Sequence, residues 1–170
     1  MRYFILISFT IFVSCSFCNS QENKNNTIAK GIIIDSISVK KSDRIMILFS
    51  NKKEIKTYQI ALGRNPIGKK QFEGDMKTPE GLYFIDAKSA YSKYHKNLNI
   101  SYPNQADVSF AKSHGKKAGG DIKIHGLPNN YKEENYIRYD WTWGCIALTN
   151  TEIDELFEHT KMGCPIFILP

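Results

Sequence analysis

Two side chains in this sequence have the chemistry of covalent catalysis: His125, in Ile124-His125-Gly126, and Cys145, in Trp141-Thr142-Trp143-Gly144-Cys145-Ile146. A free thiol with a pKa near ~8.5 is only a few per cent thiolate at neutral pH, so a cysteine nucleophile needs an imidazole or a cation to activate it. His125 is the candidate base. Gly144 has no side chain to obstruct an approaching carbonyl, and the N–H groups of Gly144 and Cys145 are candidate donors to the oxyanion of a tetrahedral intermediate. Gly126 is expected to keep the backbone open beside the imidazole, and Thr142 and Trp143 are candidate substrate contacts. Taken singly, each motif has a bland explanation, a buried small hydrophobe or a hydrogen-bonded structural histidine. Together they describe nucleophilic acyl chemistry.

The flanking pattern indicates how such a pair is held. Gly119-Gly120 leads into Ile122-Lys123-Ile124, a strand whose end delivers His125. Upstream, residues 32–39, 44–49 and 55–62 read as successive strands, with Ser50-Asn51-Lys52 as a hairpin turn. Residues 63–81 are dense in Gly and Pro and predict an ordered loop, followed by a strand at 82–85. The apolar spacing of Val108 and Ala111 predicts a short helix over 104–114. Thr149-Asn150-Thr151-Glu152 has the form of a capping box and opens a helix with Ile153, Leu156 and Phe157 on one face. Residues 166–169 close the chain as a strand, and no internal repeat or second domain is evident.

The remaining motifs carry less chemistry. Residues 63–70 almost spell a phosphate-binding loop, but Lys70 stands where a Ser or Thr would hold magnesium, and turn residues follow instead of a helix. Cys164 and His159 lack the paired short spacing of a zinc site, and a disulfide to Cys145 would consume the nucleophile. Cys164 is therefore read as a free structural thiol, and no metal or cofactor is expected. His95, His114 and His159 have surface or helix-cap explanations. Tyr139, Asp140 and Trp141 are as suited to a core as to a substrate groove, and Arg64 and Arg138 read as solvated.

With 170 residues, 42% hydrophobic and 24% charged, the chain suits one globular domain. A domain of this size buries roughly 70% of the surface of its unfolded chain and needs no staple. Arg2 followed by an apolar run over residues 3–13 is too short to span a bilayer and reads as a signal-peptide core. Val13-Ser14-Cys15 resembles a lipobox, which would make Cys15 a lipidation site; the alternative is a plain secretory peptide. Residues 1–18 are thus assigned to the signal, 19–30 to a polar tether and 31–170 to the folded domain. A formal charge of +6 favours anionic partners, but the basic residues form no nucleic-acid motif.

The motifs together resemble the YkuD-type L,D-transpeptidase catalytic domain, in particular its ErfK/YafK-like branch. The resemblance runs from about residue 37 to 170 and rests on Leu62-Gly63, Pro66-Ile67-Gly68-Lys69, Gly74-Asp75, Thr78-Pro79-Glu80-Gly81, Tyr102-Pro103-Asn104, Gly120, His125-Gly126, Trp141-Thr142 and Gly144-Cys145-Ile146-Ala147-Leu148. It implies a mainly β fold, a sandwich or barrel-like sheet with one or two short helices, which the strand content supports. It also implies that Cys145 is the nucleophile, that His125 is the base, and that the Gly126 carbonyl orients the imidazole. The implied reaction is attack on the carbonyl of an L-residue beside a D-centre in a peptidoglycan stem peptide. The resulting thioester would pass to an amine of a neighbouring stem or a protein lysine. The implied setting is the periplasm or cell envelope, with the membrane met only through a lipid anchor and no nucleic-acid partner. Trp143 stands where the commonest pattern has a second histidine, and Ala147 where many members carry Arg or Asn, both of which alter the acceptor side. A peptidoglycan amide hydrolase of the same fold is the alternative, and a non-catalytic wall-binding domain a more distant one.

Overall fold

A computed structural model of the chain describes residues 27–131 and 139–170. The predicted signal segment with Cys15, most of the tether, and Arg138 lie outside the described residues.

The sheet begins with β1 (Ser36–Lys40) and β2 (Ile45–Ser50), which pair antiparallel. Their apolar residues alternate inward, leaving Ile37, Val39, Met46 and Leu48 without solvent exposure. Asn51 and Lys52 both take positive φ in the turn to β3 (Lys53–Gln59), the conformation that matches a tight hairpin to the sheet's twist. The closing strand β8 (Pro165–Leu169) runs parallel to β1 and antiparallel to β4 (Gly81–Ser92). From β4 the sheet continues through β5 (His95–Ile100) and β6 (Lys123–His125) to β7 (Ile146–Ala147), giving the order β3-β2-β1-β8-β4-β5-β6-β7.

This eight-stranded sheet curls until its ends meet. Beyond β3, Ala61 exchanges hydrogen bonds of 3.0 and 2.8 Å with Ala147 of β7, and Gly63 bridges to Thr142. The closure falls beside the candidate nucleophile. Helices α1 (Gln105–Ser113) and α2 (Asn150–His159) each start with a reciprocal capping box, Asn104 with Asp107 and Thr149 with Glu152. From α2, Ile153 and Leu156 reach the core.

The strand predicted at 82–85 extends through 12 residues, and it pairs with a strand, β5, that the sequence pattern does not predict. Much of this hairpin is polar and exposed, so its sequence lacks the strict alternation of a half-buried strand.

Buried lysines organise the 63–81 loop. Lys41 donates to the carbonyls of Gly68 and Thr78 and to the Glu80 carboxylate at 2.7 Å. Lys70 binds Asp75 at 2.8 Å, while Asp75 also accepts the N–H groups of Gln71, Phe72 and Lys77. Burial opposes ionisation of Asp75, yet Lys70 and these three N–H groups outweigh it and hold the carboxyl below its ordinary range. Lys70, which stands where a phosphate loop would have Ser or Thr, is thus a tie within the loop.

Candidate active site

Strands β6 and β7 run parallel with Ile124 opposite Ile146 and His125 opposite Ala147. Cys145 immediately precedes β7 and therefore lies alongside Lys123, whose N–H donates to Sγ at 3.4 Å. Lys123 and His125 are two residues apart on β6 and share one face. The Cys145 and His125 side chains consequently open into one cavity of about 290 Å³, which Tyr94, Lys123, Trp141 and Trp143 also line.

The imidazole is held on several sides. Nδ1 of His125 donates to the Gly126 carbonyl at 2.7 Å. A carbonyl can only accept, so the ring proton sits on Nδ1, and Nε2 is the unprotonated atom of the neutral ring. The Tyr94 ring centroid is 4.6 Å from the imidazole, and Trp141 meets it edge-on at 5.6 Å. Burial pushes the His125 pKa below its ordinary value, against the Gly126 hydrogen bond and with the help of the Lys123 charge. Burial likewise pushes the Cys145 thiol up, opposed by the Lys123 N–H and reinforced by Asp121. The Sγ–H donates to the Asp121 carbonyl at 3.6 Å. Both shifts favour a thiol and a neutral imidazole as the resting pair.

Gly126 is closely packed, where its type alone suggests an open backbone. Its N–H donates to the carbonyls of Tyr94 and Lys96, and a Cβ there would stand 2.6 Å from Asn150 Oδ1. That Asn150 oxygen accepts the N–H of Leu127, so the bare glycine lets the start of α2 clamp the chain after His125.

The turn carrying Cys145 is also compact. Gly144 has φ +123, and a Cβ on it would meet the Lys77 carbonyl at 2.6 Å; one on Gly63 would lie 2.1 Å from the Met76 carbonyl and 3.0 Å from Gly144 Cα. The buried Thr142 hydroxyl donates to the Cys145 carbonyl at 2.7 Å and accepts the Gly144 N–H at 3.1 Å. The Gly144 N–H, expected as an oxyanion donor, is thus taken by the Thr142 hydroxyl, while Thr142, expected as a substrate contact, also lines the cavity. The Cys145 N–H takes no hydrogen bond among the described residues and is the donor left for an oxyanion. Thr142→Val should cost about 1–3 kcal/mol by stranding the buried Gly144 N–H and Cys145 carbonyl. Denaturant unfolding checks this, and a variant as stable as the parent would show that the hydroxyl is dispensable.

The remaining candidate residues divide between the cavity and the scaffold. Trp143 is 65% exposed at the cavity rim, with the Arg64 guanidinium 5.6 Å from its ring. Arg64 also donates to the Trp141 carbonyl at 3.1 Å, so it is tied to the rim. Trp141 belongs to the cavity, whereas Tyr139 is exposed. Asp140 pairs with Arg44 at 2.7 Å and accepts the Leu62 N–H at 2.8 Å, which ties the segment leading to Cys145 to the sheet. Tyr94, at the tip of the β4–β5 hairpin, escapes sequence reasoning, because nothing local says that this tip folds over His125. His159 is buried and bonds the Ile32 carbonyl through Nδ1 at 2.7 Å, so it serves the core as well as the helix end. Cys164 is buried away from this cavity, and burial together with Asp35 pushes its thiol up to about 11.

A curled, mainly β sheet flanked by two helices is the architecture of the L,D-transpeptidases, as seen in the enzyme from Mycobacterium tuberculosis H37Rv. That structure has a TM-score of 0.53 and 13% identity, with 79% of this chain and 57% of that one covered, and the likeness is one of fold alone. Residues 31–168 match the YkuD family, the L,D-transpeptidase catalytic domain, and the chain belongs to that family. YafK of Escherichia coli strain K12, which carries the L,D-transpeptidase designation, is 31% identical over 140 residues, covering 79% of this chain and 50% of YafK. A variant of the helical cell shape determining protein Pgp2 from Campylobacter jejuni superposes with a TM-score of 0.64 at 26% identity, covering 86% of this chain and 51% of that one. The chain spans about half the length of these two relatives.

Proposed function

We propose that the chain is a cysteine-dependent L,D-transpeptidase that remodels peptidoglycan stem peptides through a thioester on Cys145. The observation carrying this reading is the 2.7 Å bond from His125 Nδ1 to the Gly126 carbonyl, which leaves Nε2 as the basic atom in the cavity that also holds the thiol. Nε2 takes the Sγ proton as sulfur attacks the carbonyl of the L-residue, and the developing oxyanion accepts the Cys145 N–H. Collapse of that adduct expels the amine, which leaves with the proton from Nε2. A second amine enters, loses its proton to Nε2 and attacks the thioester, releasing the thiol and the new amide.

Transfer is favoured over hydrolysis by membership of the L,D-transpeptidase catalytic domain family, and the Trp143 indole lies exposed at the rim of the cavity. The test supplies a tetrapeptide muropeptide with and without a D-amino acid and weighs the products. Exchange of the terminal residue or cross-linked dimers is the expected result. Trimmed peptides alone, unchanged by added amine, would make the chain a hydrolase and overturn the reading.

Export and lipid anchoring belong to the same reading, supported by the apolar run after Arg2 and by Val13-Ser14-Cys15. The mature protein is expected to partition into detergent, with Cys15→Ser releasing it or leaving it unprocessed. A fully aqueous mature protein without acyl mass would contradict the anchor.

A further inference from the structure

Beside the catalytic cavity lies a second, open groove of about 580 Å³, bounded by the end of α1, Pro103 and the segment leading into β6. The two share Asp121 in their walls, so the groove adjoins the cavity that holds Cys145.

Charge in this groove is one-sided. Lys112, Lys116 and Lys117 line it, all exposed, and none forms an ion pair among the described residues. Lys116 is steadied by the Phe72 ring, 4.3 Å from its ammonium. Against these three cations stand Glu73 and Asp121, and Asp121 is already paired with Lys123. An exposed lysine by itself is usually just solvated, but three unpaired ones along one concave wall focus a positive potential onto whatever lies there.

The groove's floor adds a second, independent feature. Gly119 and Gly120 present bare backbone at successive positions, and their N–H and carbonyl groups take no hydrogen bond among the described residues. A Cβ on Gly120 would find its nearest neighbour 3.7 Å away, so the absence of a side chain there is not forced by packing. Gly119 and Asp121 take positive φ on either side of Gly120, so these free backbone groups lie in a turn open to the groove, and the flanking cations suit a peptide that carries carboxylates.

We propose that this groove is an extended substrate subsite. It would hold a carboxylate-bearing stem peptide adjoining the one that reacts, and so select polymeric peptidoglycan over isolated muropeptides. The inference rests on the peptidoglycan reading given above and concerns how the polymer is engaged.

The test is co-sedimentation with purified peptidoglycan sacculi, using the full chain with Cys145→Ala so that chemistry cannot alter the polymer. Reversing the three charges (K112E/K116E/K117E) should weaken binding roughly tenfold or more and flatten its dependence on salt. The milder K112Q/K116Q/K117Q should fall between. A thermal melt of each variant establishes that it folds, and because all three side chains are exposed, the fold should be kept. Unchanged binding with the salt dependence intact in both folded variants would overturn the groove. Turnover of a tetrapeptide muropeptide by the wild-type chain is measured separately. Its absence would count against the proposed reaction, while charge-dependent binding of sacculi would still support the groove.

Discussion

Cys145→Ala is expected to lower turnover of stem peptides by on the order of 10⁴ or more, to the background of the assay, without unfolding the protein. The substitution deletes one sulfur from a side chain whose contacts are two long hydrogen bonds, from the Lys123 N–H and to the Asp121 carbonyl. The turn itself is held by Thr142, by the packing of Gly144 against Gly63 and by the Asp140 ties, none of which involves sulfur. Cys164→Ala should retain activity, because Cys164 is buried outside the cavity with its thiol pushed up to about 11. Alkylation should therefore mark Cys145 first. Labelling at Cys164, or wild-type turnover by Cys145→Ala, would reassign the nucleophile.

The second large effect is expected at His125. Replacement by Gln keeps a polar side chain of similar reach but removes the titrating base, and kcat/KM should fall by about 10²–10⁴. The pH dependence is the sharper readout. Burial depresses the His125 pKa, so the imidazole is neutral and competent above its ordinary value of 6.5, and activity should be lost only as pH falls below that value. His125→Gln has no such group and should lack this acid limb. Alkylation of the resting thiol should instead climb as pH rises beyond the ordinary 9.0, because burial raises the Cys145 pKa. An acid limb persisting in His125→Gln would mean that another group takes the proton.

These two residues are legible in the sequence because their signal is local. Gly-Cys and His-Gly each sit at the border of a strand, and the capping box at Thr149 fixes where α2 starts. The apolar strands β1, β2 and β8 are equally readable, since their inward positions alternate. What stays hidden depends on chain closure. The β4–β5 hairpin is polar over much of its length, so nothing in its own pattern reports that Tyr94 comes to lie on His125. The glycines are recognisable by type but not by purpose. The missing Cβ serves close approach of backbone at Gly144 and Gly63 and of side chains at Gly126, from distant segments that only the folded sheet brings together. The same holds for Thr142, which lines the cavity and whose hydroxyl also braces the Gly144–Cys145 turn, a role its neighbours in sequence do not report.

A covalent acyl-enzyme on Cys145 is the step on which the proposed chemistry depends, and intact-protein mass spectrometry tests it most directly. The full chain is mixed with a tetrapeptide muropeptide in the absence of any acceptor amine, quenched in acid and weighed, and the adduct is then located by digestion. The expected result is a gain equal to the donor acyl group, confined to the peptide containing Cys145, lost on adding a D-amino acid and absent from Cys145→Ala. Turnover of the muropeptide with no such adduct under any quench time, or an adduct on another residue, would contradict it.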